Sequence, residues 1–170
     1  MKTTLVALCL MTSLFVNAQD YNKIAPATIK TLDGSSFSSE KISNDGKPMI
    51  LSFWATWCKN SVTQYDNIAE NYSDWQKETG VKLVSISTDD TRTSAKVATM
   101  AKTKGWEYEF YLDINQDFKR AMNVNNCPHT FLIDGQGNIV WQQAGSSEGS
   151  EEELYAMIKK LAKGEKIDKK

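Results

Sequence analysis

Met49-Ile50-Leu51-Ser52-Phe53-Trp54 is a near-continuous apolar run of six residues. It does not alternate, so a strand formed from it has no face to give to water. Such a strand belongs inside a sheet covered on both sides by helices. The rest of the chain must supply those helices. From Ser61 to about Lys77, the residues Val62, Tyr65, Ile68, Tyr72 and Trp75 recur at three- and four-residue spacing, the period of an amphipathic helix. Gly80 ends that helix, and Val81–Ser87 reads as the next strand.

The pattern continues to the end of the chain. Thr91–Lys104 reads as a helix closed by Gly105, Tyr108–Leu112 as a strand, and Gln116–Met122 as a short helix. His129–Asp134 and Asn138–Gln143 form a hairpin through Gly135-Gln136-Gly137, and Ser150–Ala162 is a last helix with Glu151–Glu153 at its start and lysines at its end. Ahead of the apolar run, Leu32-Asp33-Gly34-Ser35 turns between Ala27–Thr31 and Ser36–Phe37. Strands alternating with helices predict an α/β domain with a mixed central sheet flanked by helices.

With 20 Lys+Arg against 21 Asp+Glu, both signs interspersed, the chain offers no basic face for nucleic acid or an acidic membrane. Lys2 followed by the apolar run Leu5–Val16 and by Val16-Asn17-Ala18 reads as a secretory signal cleaved after Ala18. The run is too short to span a bilayer, which takes about 20 residues. The expected organisation is a signal peptide over 1–18, one domain over 19–163 and a charged tail over 164–170. An exported product, periplasmic or extracellular, follows, with no stable membrane span once the signal is removed. Cys9 leaves with the signal, so Cys58 and Cys127 remain in an oxidising compartment.

The chemistry concentrates in Phe53-Trp54-Ala55-Thr56-Trp57-Cys58-Lys59-Asn60-Ser61. The buried strand ends here and the helix begins, which puts Cys58 at a helix N-terminus. Unpaired backbone N–H groups and the helix dipole stabilise a thiolate there, and Lys59 adds a positive charge. A thiolate is the nucleophile of disulfide exchange.

These residues, with Val124-Asn125-Asn126-Cys127-Pro128-His129-Thr130-Phe131-Leu132-Ile133-Asp134, resemble the thioredoxin-fold proteins, most closely the exported TlpA/ResA-like thiol–disulfide oxidoreductases. The resemblance spans about 24–162. It implies a thioredoxin-like fold with an N-terminal hairpin extension and a central helix–strand insertion at 91–112. It also implies a cis Pro128 against the Cys58 turn, protein or small thiol and disulfide substrates, an external redox partner, and no cofactor. Trp57, Pro128 and His129 would line the substrate side, with Trp54 a further candidate for the floor of an apolar groove.

The departures from that family are as informative. The family pattern is Cys-x-x-Cys, and this chain has Cys58-Lys59-Asn60-Ser61, a Cys-x-x-Ser variant. Ser61 can donate to a Cys58 thiolate but cannot resolve a mixed disulfide. Ser52 and Gln64 stand where relatives carry the acids that ionise the second cysteine. By the resemblance, Cys127 lies opposite Cys58, so the resolving thiol has a place in the loop instead of the helix, unless Cys127 merely fills that loop. His129 is either satisfied by its neighbours or tunes Cys58. Four other readings stay open: a monothiol version of the same chemistry whose mixed disulfides an external thiol releases, a redox-inactive module that holds extended chains, a peroxidase, and a metal site of Cys58, Cys127 and His129. Ala55 and Leu51 replace the Thr and Pro of peroxiredoxins, and nothing in the cysteine and histidine spacing demands a metal.

Overall fold

The computed structural model describes residues 22–147 and 149–167. The expected signal segment, 1–18, lies outside the described residues, as do residues 168–170 of the tail. The first half runs β1 (Thr28–Thr31), β2 (Ser36–Ser38), a 3-10 turn (Ser39–Lys41), β3 (Met49–Trp54), α1 (Lys59–Thr79) and β4 (Lys82–Ser87). The second half runs α2 (Ala95–Lys104), β5 (Glu109–Leu112), α3 (Asp117–Ala121), β6 (His129–Ile133), β7 (Ile139–Ala144) and α4 (Ser150–Ala162).

All strands join one mixed sheet in the order β2-β1-β5-β4-β3-β6-β7. Every residue of β3 is buried, as its unbroken apolar run requires. It pairs parallel with β4 and antiparallel with β6, from Met49 opposite Ile133 to Phe53 opposite His129. The β1–β2 hairpin is continuous with the sheet, because β1 pairs antiparallel with β5, the strand of the central insertion.

Alternation along β3 divides the core into two. Ile50 and Trp54 face α1, α2 and α4, where they meet Tyr65, Ile68, Tyr72, Trp75, Val97, Ala101, Leu154 and Ile158. Leu51 and Phe53 face the other side, with Phe118 of α3, Met122, Val124 and Phe131. Trp54 is fully enclosed, its ring 5.1 Å from Tyr65 and 5.4 Å from Trp106, so it is core and not the floor of a groove. Ile167, in the segment read as a solvated tail, packs half-buried against the α1 side.

Two boundaries differ for local reasons. The second helix begins at Ala95 instead of Thr91, because the Asp90 carboxylate takes the Arg92 N–H and the Thr93 hydroxyl into a separate turn. The first helix begins two residues before Ser61, since Cys58 is its N-cap and accepts the first helical bond from Val62 N–H at 3.1 Å. Gly80 closes it in the left-handed conformation, φ 67°, which a glycine adopts without steric cost. Among the described residues no helix is long and apolar enough to cross a membrane.

Candidate active site

The site is built where β3 ends. Trp54 is the last strand residue, and the chain turns through Ala55-Thr56-Trp57 before α1 begins. Cys58 N–H donates to Ala55 O at 3.0 Å and closes the turn. Asp89, fully buried just past the end of β4, holds it from below. Its Oδ2 accepts from Thr56 N–H (2.8 Å) and from Ser87 Oγ (2.8 Å), and its Oδ1 accepts from Thr56 Oγ1 (2.6 Å). Thr88 N–H adds a bond to Trp54 O at 2.8 Å. The neighbouring parallel strand thus clamps the turn that carries the thiol.

Cys58 is half-buried, with an extended backbone and no side-chain capping bond. Its thiol donates to Cys127 O, 3.1 Å away, across the groove. The Cys127–Pro128 bond is cis, and Pro128 O is fixed by Gly145 N–H at 2.7 Å. Both Cys58 and Cys127 are half-buried free thiols. Burial pushes the Cys127 thiol well above the ordinary range, and the neighbouring Cys58 sulfur pushes it the same way; the nearby Ser61 hydroxyl pulls weakly in the opposite direction. Trp57 is 65% exposed beside Cys58, an apolar surface at the mouth of the groove. Lys59 is exposed in the first turn of α1.

Ser61 lies in the first turn of α1 and is wholly buried. Its Oγ makes no directed hydrogen bond, to Cys58 or to any other described group. Below it, Ser52, Gln64 and Thr130 form an uncharged cluster. Thr130 Oγ1 reaches Gln64 Oε1 and Ser52 Oγ, each at a loose 3.5 Å, while Tyr65 OH donates to Ser85 Oγ at 3.0 Å.

His129 is placed elsewhere. Strand alternation turns its ring to the sheet face opposite α1, where it stacks on Phe131 with centroids 4.6 Å apart. Its Nε2–H donates to Gln142 Oε1 at 3.2 Å, and burial holds its pKa below the ordinary imidazole value. The structure brings Cys58, Cys127, Ser61, Pro128 and Trp57 together and leaves His129 apart, so the three soft donors do not converge. Among the described residues no group of three or more His, Cys, Asp and Glu side chains is placed to hold a metal.

Asp89 and Thr130 were not singled out in the sequence. A signal for Asp89 was present in Thr88-Asp89-Asp90, polar residues at the carboxyl end of a buried parallel strand, where open α/β sheets gather their functional groups. Thr130 carried none, because its role depends on the β3–β6 register that sets it opposite Ser52.

Comparison with known proteins agrees with this geometry. The chain is 31% identical over 116 residues to the thiol-disulfide oxidoreductase ResA of Bacillus thuringiensis (strain Al Hakam), covering 68% of this chain and 64% of ResA. It is 31% identical over 128 residues to the thiol:disulfide interchange protein DsbE of Tatumella citrea, covering 74% of this chain and 65% of DsbE. The matched region therefore spans just under two thirds of these relatives. A thioredoxin-like protein from Porphyromonas gingivalis superposes with a TM-score of 0.73 at 45% identity, covering 81% of this chain and 90% of that one. A DsbE-like protein from Chlorobium tepidum, at 19% identity and a TM-score of 0.71, shares the thioredoxin-like fold. Kinship rests on more than the cysteine turn, since the match to one family runs from residue 21 through the Cys58 turn and cis-proline loop to residue 142: the chain belongs to the AhpC/TSA family, and within it resembles the TlpA/ResA-like thiol–disulfide oxidoreductases.

Proposed function

We propose that the protein is an exported thiol–disulfide oxidoreductase in which Cys58 attacks and Cys127 resolves. The observation that carries this reading is the Cys58 thiol at the α1 N-terminus, 3.1 Å from the carbonyl oxygen of Cys127, the one other cysteine among the described residues. Burial holds Cys127 protonated at neutral pH, which leaves Cys58 as the nucleophile.

In the first step the Cys58 thiolate attacks a substrate disulfide R–S–S–R′, forms Cys58–S–S–R and releases R′–S⁻. In the second, the Cys127 sulfur attacks Cys58, a Cys58–Cys127 disulfide forms, and R leaves as R–SH with the proton that Cys127 gave up. The substrate disulfide gains two electrons and the protein loses two. An external dithiol returns them and regenerates both protein thiols. Trp57 and the cis-proline loop border the substrate in this scheme.

Two measurements on the processed chain test it. Iodoacetamide at pH 6–7, followed by peptide mapping, should mark Cys58 before Cys127. Rapid acid quench and mass spectrometry should show a transient mixed disulfide on Cys58 that persists at least tenfold longer in Cys127→Ala, as expected when an intramolecular attack is removed. Labelling of Cys127 first reverses the roles. An unchanged mixed-disulfide lifetime leaves Cys58 acting alone. Binding of extended chains that survives loss of both cysteines, without exchange, identifies a non-catalytic module instead.

A further inference from the structure

The turn that carries Cys58 is gripped at Thr56, and one buried side chain makes the grip. Asp89 Oδ2 accepts the Thr56 N–H at 2.8 Å, and Oδ1 accepts its hydroxyl at 2.6 Å. Further along the same turn, Cys58 N–H closes on Ala55 O at 3.0 Å. Asp89 is itself fixed from behind. Its Oδ2 accepts from Ser87 Oγ at 2.8 Å, and its own N–H donates to that hydroxyl at 3.1 Å. Ser87 O accepts from Asp113 N–H at 2.8 Å and Thr88 O from Gln116 Nε2 at 3.3 Å, so the junction of β5 with α3 braces the same segment. None of the ion pairs among the described residues includes Asp89, which is wholly buried. A buried carboxylate without a cation is unfavourable unless hydrogen bonds compensate it, and here three donors do. With both oxygens occupied, it is a support and not a proton acceptor for either thiol.

We propose that Asp89 is a positioning residue for disulfide exchange, acting through Thr56 to hold Cys58 at the N-terminus of α1. This inference rests on the reading of Cys58 as the attacking thiol. Val62 N–H makes the first helical bond, to Cys58 O, so the N–H groups of Lys59, Asn60 and Ser61 have no carbonyl four residues back within the helix. A Cys58 thiolate is stabilised only while its sulfur stays beside those groups, and the turn ahead of it decides where the sulfur stands. Releasing Thr56 frees that turn, and the anion loses its fixed dipoles. The charge of Asp89 works in the opposite sense, because a negative group near a thiolate disfavours it. The two effects are separable by sign. Loss of position raises the pH at which Cys58 becomes reactive, and loss of charge lowers it.

The pH profile of Cys58 alkylation by iodoacetamide, read by peptide mapping on the reduced, processed chain, tests this. Lys59 and Cys127, the ionisable groups beside Cys58 in the helix and across the groove, are the same in every variant. Asp89→Ala should raise the midpoint by about one unit, a tenfold loss of rate below it. Asp89→Asn should keep the rate within about twofold of the parent, with a midpoint no higher. Its amide oxygen can take the Thr56 N–H and the Ser87 hydroxyl, and its nitrogen can donate to Thr56 Oγ1. Thr56→Val removes one contact and should slow alkylation about threefold, but should cost nothing further when added to Asp89→Ala. Far-UV circular dichroism checks folding, and if the alanine protein does not fold, Thr56→Val and Asp89→Asn carry the test. An unmoved or lowered midpoint in Asp89→Ala overturns the inference. So do equal losses in the alanine and asparagine proteins, a parent-like rate in Thr56→Val, or a full Thr56→Val effect in the absence of Asp89. If Cys127 is the faster thiol of the parent, the reading of Cys58 as nucleophile falls first, and this inference with it.

Discussion

His129 illustrates how little sequence proximity says about contact: it stands two residues from Cys127, yet its ring meets Phe131 and Gln142 on the far face of the sheet. Its burial has a thermodynamic consequence. The folded chain holds the imidazole pKa below its ordinary 6.5, so below that pH the unfolded chain binds a proton that the folded chain refuses. The associated stability is full above 6.5 and declines as the pH falls through that value. Between pH 7 and pH 5, His129→Gln should therefore lose less of its urea midpoint than the parent protein does. Equal losses in the two proteins would show that the imidazole contributes nothing to the acid limb. At this scale the sequence was readable where chemistry is carried by chain position. Cys58 follows a buried strand and must start a helix. Side-chain direction was not readable, because it depends on register. One strand step separates His129 from Thr130, and that step sends one ring away from the thiols while the other side chain joins Gln64 and Ser52.

At the scale of elements, β3 and α4 fall on the bounds read from their patterns, since an unbroken apolar run and an amphipathic period with acids at its start and lysines at its end are local properties. The 3-10 turn at Ser39–Lys41 was not legible. Its buried Ser39 donates to Ala25 O and accepts from Ala27 N–H, contacts made across 14 and 12 residues. The β1–β5 pairing was equally hidden, because a short strand's own sequence gives no sign of which second neighbour it takes beyond its hairpin partner. The first turn of α1 shows what the element has lost relative to a dithiol helix. Position 61 is buried within reach of the site, and position 64 sits one turn further on, buried and hydrogen-bonded to Thr130. Ser61→Cys should therefore return the resolving thiol to the helix and raise insulin-reduction turnover several-fold. Adding Gln64→Glu supplies a carboxyl whose pKa burial raises towards neutrality, suited to take the new thiol's proton, and turnover should rise again. The paired variant should keep its gain when Cys127 is also changed to Ala. A loss of that gain would show that the loop thiol remains essential even beside a helical one.

Across the whole molecule, Cys58 and Cys127 stand at opposite ends of a 70-residue stretch that contains α1, β4, α2, β5 and α3. Their closure would tie the end of β3 to the start of β6, two strands already paired side by side in the folded sheet. The folded chain thus brings the two thiols together without needing the bond, whereas the unfolded chain would lose much of its freedom to it. On the chain-entropy account, closing a loop of this length disfavours the unfolded state by roughly 4 kcal/mol, less whatever strain the bond imposes on the folded one. The air-oxidised protein should contain no titratable thiol after removal of the signal, and its urea midpoint should lie well above that of the dithiothreitol-reduced protein. Its m-value should be smaller, because the cross-linked unfolded chain exposes less surface. The Cys58→Ala/Cys127→Ala protein should match the reduced form, which separates the bond from the chemistry of the reductant. Two titratable thiols in the non-reduced, unfolded protein would show that the pair does not close. A closed pair with an unchanged midpoint would mean that native-state strain offsets the whole gain, as expected of a disulfide made to be exchanged and not of one made to hold the fold together.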